Sequence, residues 1–143
     1  MYGTTPMSFP LKQIHYKDLN SRQKENYNFQ KVAGELAEYG FNCMRLTDDW
    51  QGADFIACHI DGDVFLKVQL KGRMTIDKKY SGKDIYIAFL SGDDCYIYPH
   101  DEMVDRILSR GMINETKSWS EDGAYSWNRL SGWMKEILQD YKI

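Results

Sequence analysis

Three side chains in the middle of the chain could do chemistry together: Asp54, Gln69 and Lys71. They lie on two runs, Gly52–Ile60 and Asp63–Lys71, separated by Asp61-Gly62. Both runs alternate and are rich in β-branched and aromatic residues. Asp-Gly between such runs predicts a hairpin with a tight type I′ turn. In that register Ile60 pairs with Asp63, Ile56 faces Lys67 and Asp54 faces Gln69. Opposed side chains in a hairpin sit about 4.5–5.5 Å apart at Cβ. Lys71 shares the face of Gln69, because side chains alternate with period two. One carboxylate, one amide and one ammonium therefore gather at the open end of the hairpin. Two oxygen donors suit a hard cation, and the amine could offset charge on a phosphoryl group. The plain alternative is an Asp54–Lys71 surface ion pair, worth about 0–1 kcal/mol. The opposite face carries Phe55, Ala57, Val64, Leu66, Val68 and Leu70, which read as core.

The elements around this hairpin must position it. Asn20 is a good helix N-cap, with Gln23 as capping-box partner, and Gly40 suits the helix end. Phe29, Val32, Ala33, Leu36 and Ala37 repeat at helical spacing. Glu25 falls on that stripe and is expected to point inward at the hairpin; Glu35 is the reserve. A favourable place in the first turn would explain Glu25 without any role at the site. Phe41 to Leu46 reads as a strand, and Thr47 to Gly52 as a polar loop with Asp48, Asp49 and Trp50. Asp48 and Asp49 could reach the same mouth as Asp54, but such acidic pairs in loops are usually solvated and they read so here; Trp50 is open between base stacking and core.

Asp54, then Gln69-Leu70-Lys71 one hairpin away, with a helix bearing Glu25 upstream, resembles the PD-(D/E)XK nuclease superfamily over roughly Asn20 to Pro99. Ala53 stands where that family often has proline, and Gln69 where it usually has Asp or Glu. The resemblance implies an α/β fold: a central mixed sheet flanked by helices, with a restriction-endonuclease-like αβββαβ core. It implies Mg²⁺ or Mn²⁺ held by Glu25, Asp54, Gln69 and the main-chain carbonyl of Leu70. It also implies that Lys71 orients or helps to deprotonate the attacking water. The expected activity is metal-dependent hydrolysis of DNA phosphodiester bonds, with branched DNA or RNA as other substrates. A homodimer would let so small a core cut both strands. A catalytically silent module that binds nucleic acid or a partner protein is the alternative, with Gln69 as its sign. A second is an interaction protein that dimerises through its aromatic C-terminal portion.

From Lys67 to Lys83 the chain holds six basic residues (Lys67, Lys71, Arg73, Lys78, Lys79 and Lys83) and one acid, Asp77. It reads as a flexible basic segment, suited to track phosphates. Lys67, Arg73, Lys78, Lys79 and Lys83 are the expected nucleic-acid contacts.

Asp84 to Leu90 and Cys95 to Pro99 predict a second hairpin around Ser91–Asp94. A helix opens at His100 or Asp101, buries Met103, Val104, Ile107 and Leu108, and stops at Gly111. His100 reads as a cap or surface residue, and His59 as a satisfied core histidine. Ile113 to Trp127 is expected to form a third hairpin across Glu121-Asp122-Gly123. Leu130, Trp133, Met134, Ile137, Leu138 and Tyr141 mark a C-terminal amphipathic helix. Trp119, Tyr125, Trp127 and Trp133 read as its core.

The 143 residues suit a single domain, divided as an arm (1–19), a core (20–110) and a C-terminal hairpin and helix (111–143). The formal net charge of −3 argues against a protein that simply coats nucleic acid. Three cysteines without close spacing suggest free thiols in a reducing compartment. No apolar run is long enough to span a bilayer, and the expectation is a cytoplasmic protein.

Overall fold

The structure, a computed structural model, describes residues 10–143; the first nine residues of the expected arm lie outside it. A mixed five-stranded sheet divides the molecule into two layers. Its strands are β1 (Phe41–Trp50), β2 (Ala53–His59), β3 (Phe65–Leu70), β5 (Ile85–Ser91) and β6 (Asp94–Pro99), hydrogen-bonded in that order. A second, two-stranded sheet joins β4 (Thr75–Asp77) to β7 (Ala124–Ser126). The helices are α1 (Ser21–Ala37), α2 (His100–Ser109) and α3 (Gly132–Leu138).

α1 starts as its sequence demands. Asn20 Oδ1 accepts from Gln23 N–H at 2.8 Å, and Asn20 N–H donates to Gln23 Oε1 at 2.9 Å, a reciprocal cap for two otherwise orphaned donors. Its apolar stripe lies on one sheet face, where Val32 and Leu36 are buried with Phe55, Ala57, Val68 and Leu70. The other face carries a larger core from Ile85, Ile87, Phe89 and Tyr98 against Met103, Ile107, Met134 and Ile137. Trp119 and Trp127 are buried in that core, and Tyr125 and Trp133 pack against it. The aromatic cluster is therefore interior, as expected.

The central register is the expected one. Ile56 pairs with Lys67, and Phe55 with Val68, so the next position outward sets Asp54 against Gln69. The turn differs. His59 N–H donates to the Val64 carbonyl at 2.9 Å, and Gly62 N–H to the His59 carbonyl at 2.9 Å. Ile60 to Asp63 thus form a four-residue loop, and Ile60 does not pair with Asp63. Gly62 has φ +78, but Asp61 is not in the left-handed region, so the type I′ turn is ruled out. A longer loop of the same parity preserves which side chains oppose. Val64 lies at the loop's edge and is 43% exposed, not core. His59 is half-buried at the end of β2, edge-on to Phe41 at 5.1 Å and 3.4 Å from Asp61.

Four further expectations change. β1 runs on to Trp50, with an irregularity between Arg45 and Trp50, so the expected polar loop is a bulged strand end. β3 and β5 are parallel, but a short strand and one 3-10 turn (Lys78–Tyr80) join them, where an αβββαβ order has an α-helix. That segment is not a flexible loop, since Met74, Ile76 and Tyr80 are buried. Local composition showed its charges and concealed these three anchors. The third hairpin is also absent. Ser118–Asp122 forms a helical turn, and β7 pairs with β4, some fifty residues upstream; tertiary pairing won over a local turn signal.

The cysteines are free thiols. Burial, with a smaller contribution from Glu35, pushes Cys95 up to about 12. Burial, and then Cys58, pushes Cys43 up to about 11. The thiolate is the reactive form, so Cys95 should resist a disulfide reagent at pH 8 until the protein unfolds. Absorbance of the released thiolate, with and without urea, checks this; rapid labelling of Cys95 in the native state would contradict it.

Candidate active site

Asp54, Gln69 and Lys71 meet where β2 begins and β3 ends. The Leu70 main-chain N–H donates to Asp54 Oδ2 at 2.9 Å. The acid is thereby fixed to the motif strand by a charge-assisted bond that does not depend on its partner's side-chain rotamer. Asp54 Oδ1 accepts no hydrogen bond among the described residues. Gln69 Nε2 lies 3.4 Å from the Leu70 carbonyl, and Gln69 Oε1 is buried without a partner. A buried acceptor left unpaired costs about 1–3 kcal/mol, which marks this oxygen as available to a bound group.

Lys71 is half-buried, and its main-chain N–H donates to the Ala88 carbonyl at 2.9 Å. Its Nζ lies 5.1 Å from the centre of the Tyr80 ring, within cation–π range. It makes no ion pair with Asp54 within 4.0 Å, so the plain surface pair does not describe the site. Tyr80 is the residue that sequence reasoning missed. It is only 4% exposed, carries Lys79 Nζ at 5.2 Å as well, and stands edge-on to His100 at 5.7 Å. Gly52, at φ +88, leaves room for it; a Cβ there would lie 3.2 Å from Tyr80 Cδ1. The nearest signal was a lone aromatic between Lys79 and Ser81 in a basic stretch.

A cleft of about 490 Å³ opens beside Asp54. Glu25, Asp48, Asp49 and Asp54 line it, with Arg22 and Arg45 as counter-charges. Glu25 therefore shares the cleft with Asp54, while its side chain is 55% exposed and held by Arg45 at 2.8 Å. Gln69 and Lys71 do not line this cleft. Burial raises the pKa of Asp54 above the ordinary carboxylate value; Glu25 and Asp49 push the same way, against the Leu70 N–H and Lys71. Asp48 and Asp49, expected as solvated, reach the cleft through the bulged end of β1. Glu35 is exposed and lines a different hollow, with Tyr27 and Cys95.

Among the described residues, no three His, Cys, Asp or Glu side chains converge to hold a metal. The donors at the strand ends are instead one carboxylate, one unpaired amide oxygen and one main-chain carbonyl. All are oxygen, the type a hard cation takes, and they fit Mg²⁺ or Mn²⁺.

The expected nucleic-acid contacts are spread from β3 through the connection that leads to β5. Lys67 donates to the Lys83 carbonyl and lies over the exposed Trp50 ring at 5.9 Å. Trp50 is 54% exposed, which excludes the core role. Lys78 sits over Trp119 at 4.9 Å, and Lys79 is 3.8 Å from Asp77. Arg73 donates to Asn128, and Lys83 is exposed. His100, expected at the surface, is fully buried. Its Nε2 accepts from Asp77 N–H at 3.0 Å, so the Nδ1 proton faces Asp101 Oδ1 at 3.0 Å. This is a neutral structural imidazole, and it pins the start of the Lys78–Tyr80 turn.

No protein-family model matches the chain. No curated protein matches it in sequence. Among solved structures it is similar to the bacterial homing endonuclease I-Ssp6803I, at 14% identity and a TM-score of 0.48, over 85% of this chain and 94% of that one. It is also similar to the Holliday junction resolvase Hjc of Archaeoglobus fulgidus, at 14% identity and a TM-score of 0.39, over 49% of this chain and 74% of that one. Both scores lie below 0.5, so the site's chemistry rests on its own residues. The chain is an α/β protein: a mixed five-stranded sheet with α1 on one face and α2 and α3 on the other.

Proposed function

We propose that this protein is a divalent-metal-dependent endonuclease that hydrolyses DNA phosphodiester bonds. The observation that supports the reading is the pairing of Asp54 with the Leu70 N–H, on the same strand end where the Gln69 amide oxygen is buried without a partner. Asp54, Gln69 Oε1 and the Leu70 carbonyl would hold the cation, with Glu25 adding negative charge across the cleft. Bound Mg²⁺ or Mn²⁺ would supply Lewis-acid stabilisation of charge on the phosphoryl group. Lys71 would hold the attacking water and offset transition-state charge from a position fixed by the Tyr80 ring. DNA is the expected partner, with RNA and branched DNA as further substrates. A homodimer suits a core this small if both strands are to be cut. No described helix is long and apolar enough to cross a membrane, and free thiols fit a cytoplasmic setting.

A second reading has its own support. Arg45 engages Glu25 at 2.8 Å, and Gln69 brings no charge to the cation. Both favour a silent module that binds nucleic acid or a partner protein without cutting.

Two measurements separate these. Supercoiled plasmid should be nicked in Mg²⁺ or Mn²⁺ and left intact in EDTA; binding without cleavage in either metal would leave the silent module. Gln69→Glu should tighten Mg²⁺ binding by about tenfold, because ligand charge count sets the affinity of hard-cation sites. Titration calorimetry giving the same negligible heat for both proteins would remove the metal site.

A further inference from the structure

A second cleft, of about 340 Å³, lies where the C-terminal segment meets the chain leaving β3. Arg73, Asn128, Arg129 and Lys135 line it, with Trp127 and Phe89 as its aromatic walls. No acid lines it. This is unusual for a chain with a net charge of −3. Several other long cations have carboxylate partners: Arg106 meets Asp140, Arg110 meets Glu136 and Lys142 meets Asp94. Among the described residues, Arg73, Arg129 and Lys135 pair with no carboxylate. Arg73 instead donates to the Asn128 amide, which orients the guanidinium and leaves its charge uncompensated.

The cleft is also tied to the candidate active site. Arg73 follows Lys71 by two residues, at most about 7 Å of chain. Trp127 N–H donates to the Met74 carbonyl at 2.9 Å, which stitches the Arg129 loop to that same stretch. Converging, unpaired cations on an ordered wall suit an oxyanion, and arginine suits phosphate in particular.

We propose that Arg73, Arg129 and Lys135 form a second phosphate subsite, which takes a backbone phosphodiester of the DNA strand next to the one held at Asp54 and Lys71. The proposal rests on the nuclease reading above and names its substrate contact. It brings in Arg129 and Lys135, which lie outside the basic segment visible in the sequence.

The test is fluorescence anisotropy of a labelled duplex in EDTA, where no cleavage competes, for wild type, Arg129→Gln/Lys135→Gln and Arg129→Lys/Lys135→Arg. Each lost phosphate contact lowers the log–log salt slope by about 1. The double Gln variant, which loses the one phosphate of the subsite, should flatten that slope by about 1 and weaken binding on the order of tenfold at physiological salt. The charge-preserving double variant should retain both properties. Both side chains are exposed, and an unchanged Tm controls for folding. Wild-type slope and affinity in the double Gln variant would overturn the subsite and leave the nuclease reading intact. A wild type that binds no duplex at low salt would overturn both. Loss of inorganic phosphate binding in that variant, with duplex binding unchanged, would assign the cleft to a free anion and reject the phosphodiester.

Discussion

Lys71→Met is expected to lower plasmid cleavage by about 10²–10⁴, the range for removing a group that handles a proton and charge in the transition state. Asp54→Asn should lose a similar amount, since the amide brings a neutral donor where a hard cation needs charge. The two variants should differ in stability. Lys71 neighbours no paired acid, and replacing its ammonium leaves the aliphatic stem over Tyr80. Asp54 is half-buried near Glu25 and Asp49, which raises its pKa. Its charged form is therefore disfavoured in the folded state, a cost present above the folded pKa and relieved as pH falls through it. In EDTA at pH 8, Asp54→Asn should melt above wild type, and the gap should close as the pH falls. The Leu70 N–H keeps an acceptor in either form. Lost cleavage with gained stability is the signature of a site held together against its own repulsion. Plasmid nicking assays and thermal melts over a pH series check both. An Asp54→Asn variant that still cuts at the wild-type rate would remove this acid from the chemistry.

His100→Leu should give the largest loss of stability in the chain's polar interior, about 2–4 kcal/mol. The buried imidazole accepts from Asp77 N–H and faces Asp101. Leucine fills the volume and orphans that N–H, which alone costs about 1–3 kcal/mol. The Tm should fall by about 5–15 °C for a chain of this length, with cleavage reduced because the Lys78–Tyr80 turn carries the ring beneath Lys71. His100→Gln, which can still accept from Asp77 N–H, should lose less. Asp101 adds a pH dependence. Partial burial opposes its ionisation, but hydrogen bonds from His100 and from Gly82 N–H outweigh this and hold its pKa below the usual value. Its contribution is thus fully present above about pH 4, the unfolded value, and is lost as pH falls through the lower folded one. Melts by circular dichroism at neutral and acid pH test this. Equal Tm values for wild type and His100→Leu would show that the clamp contributes nothing.

Some of this was legible in the residues alone, and the reason is local. The Asn20–Gln23 cap, the α1 stripe of Phe29, Val32 and Leu36, and the alternation in β2 and β3 are set by neighbours within a few positions. Alternation of period two carries Asp54 opposite Gln69 even though the turn is longer than Asp61-Gly62 implied. Type and parity suffice there, because a one-residue slip would turn the whole apolar face to water.

What only the tertiary structure decided depends on contacts between distant segments. β7 pairs with β4 and not with its own neighbours. Met74, Ile76 and Tyr80 anchor a stretch whose composition advertises only charge. His100 is buried because Asp77, twenty-three residues earlier, needs an acceptor. Arg129 and Lys135 join Arg73 only once Trp127 docks on Met74. A sequence fixes which groups are available within a turn or a strand, whereas burial, counter-charges and long-range hydrogen bonds exist only after the chain has closed on itself.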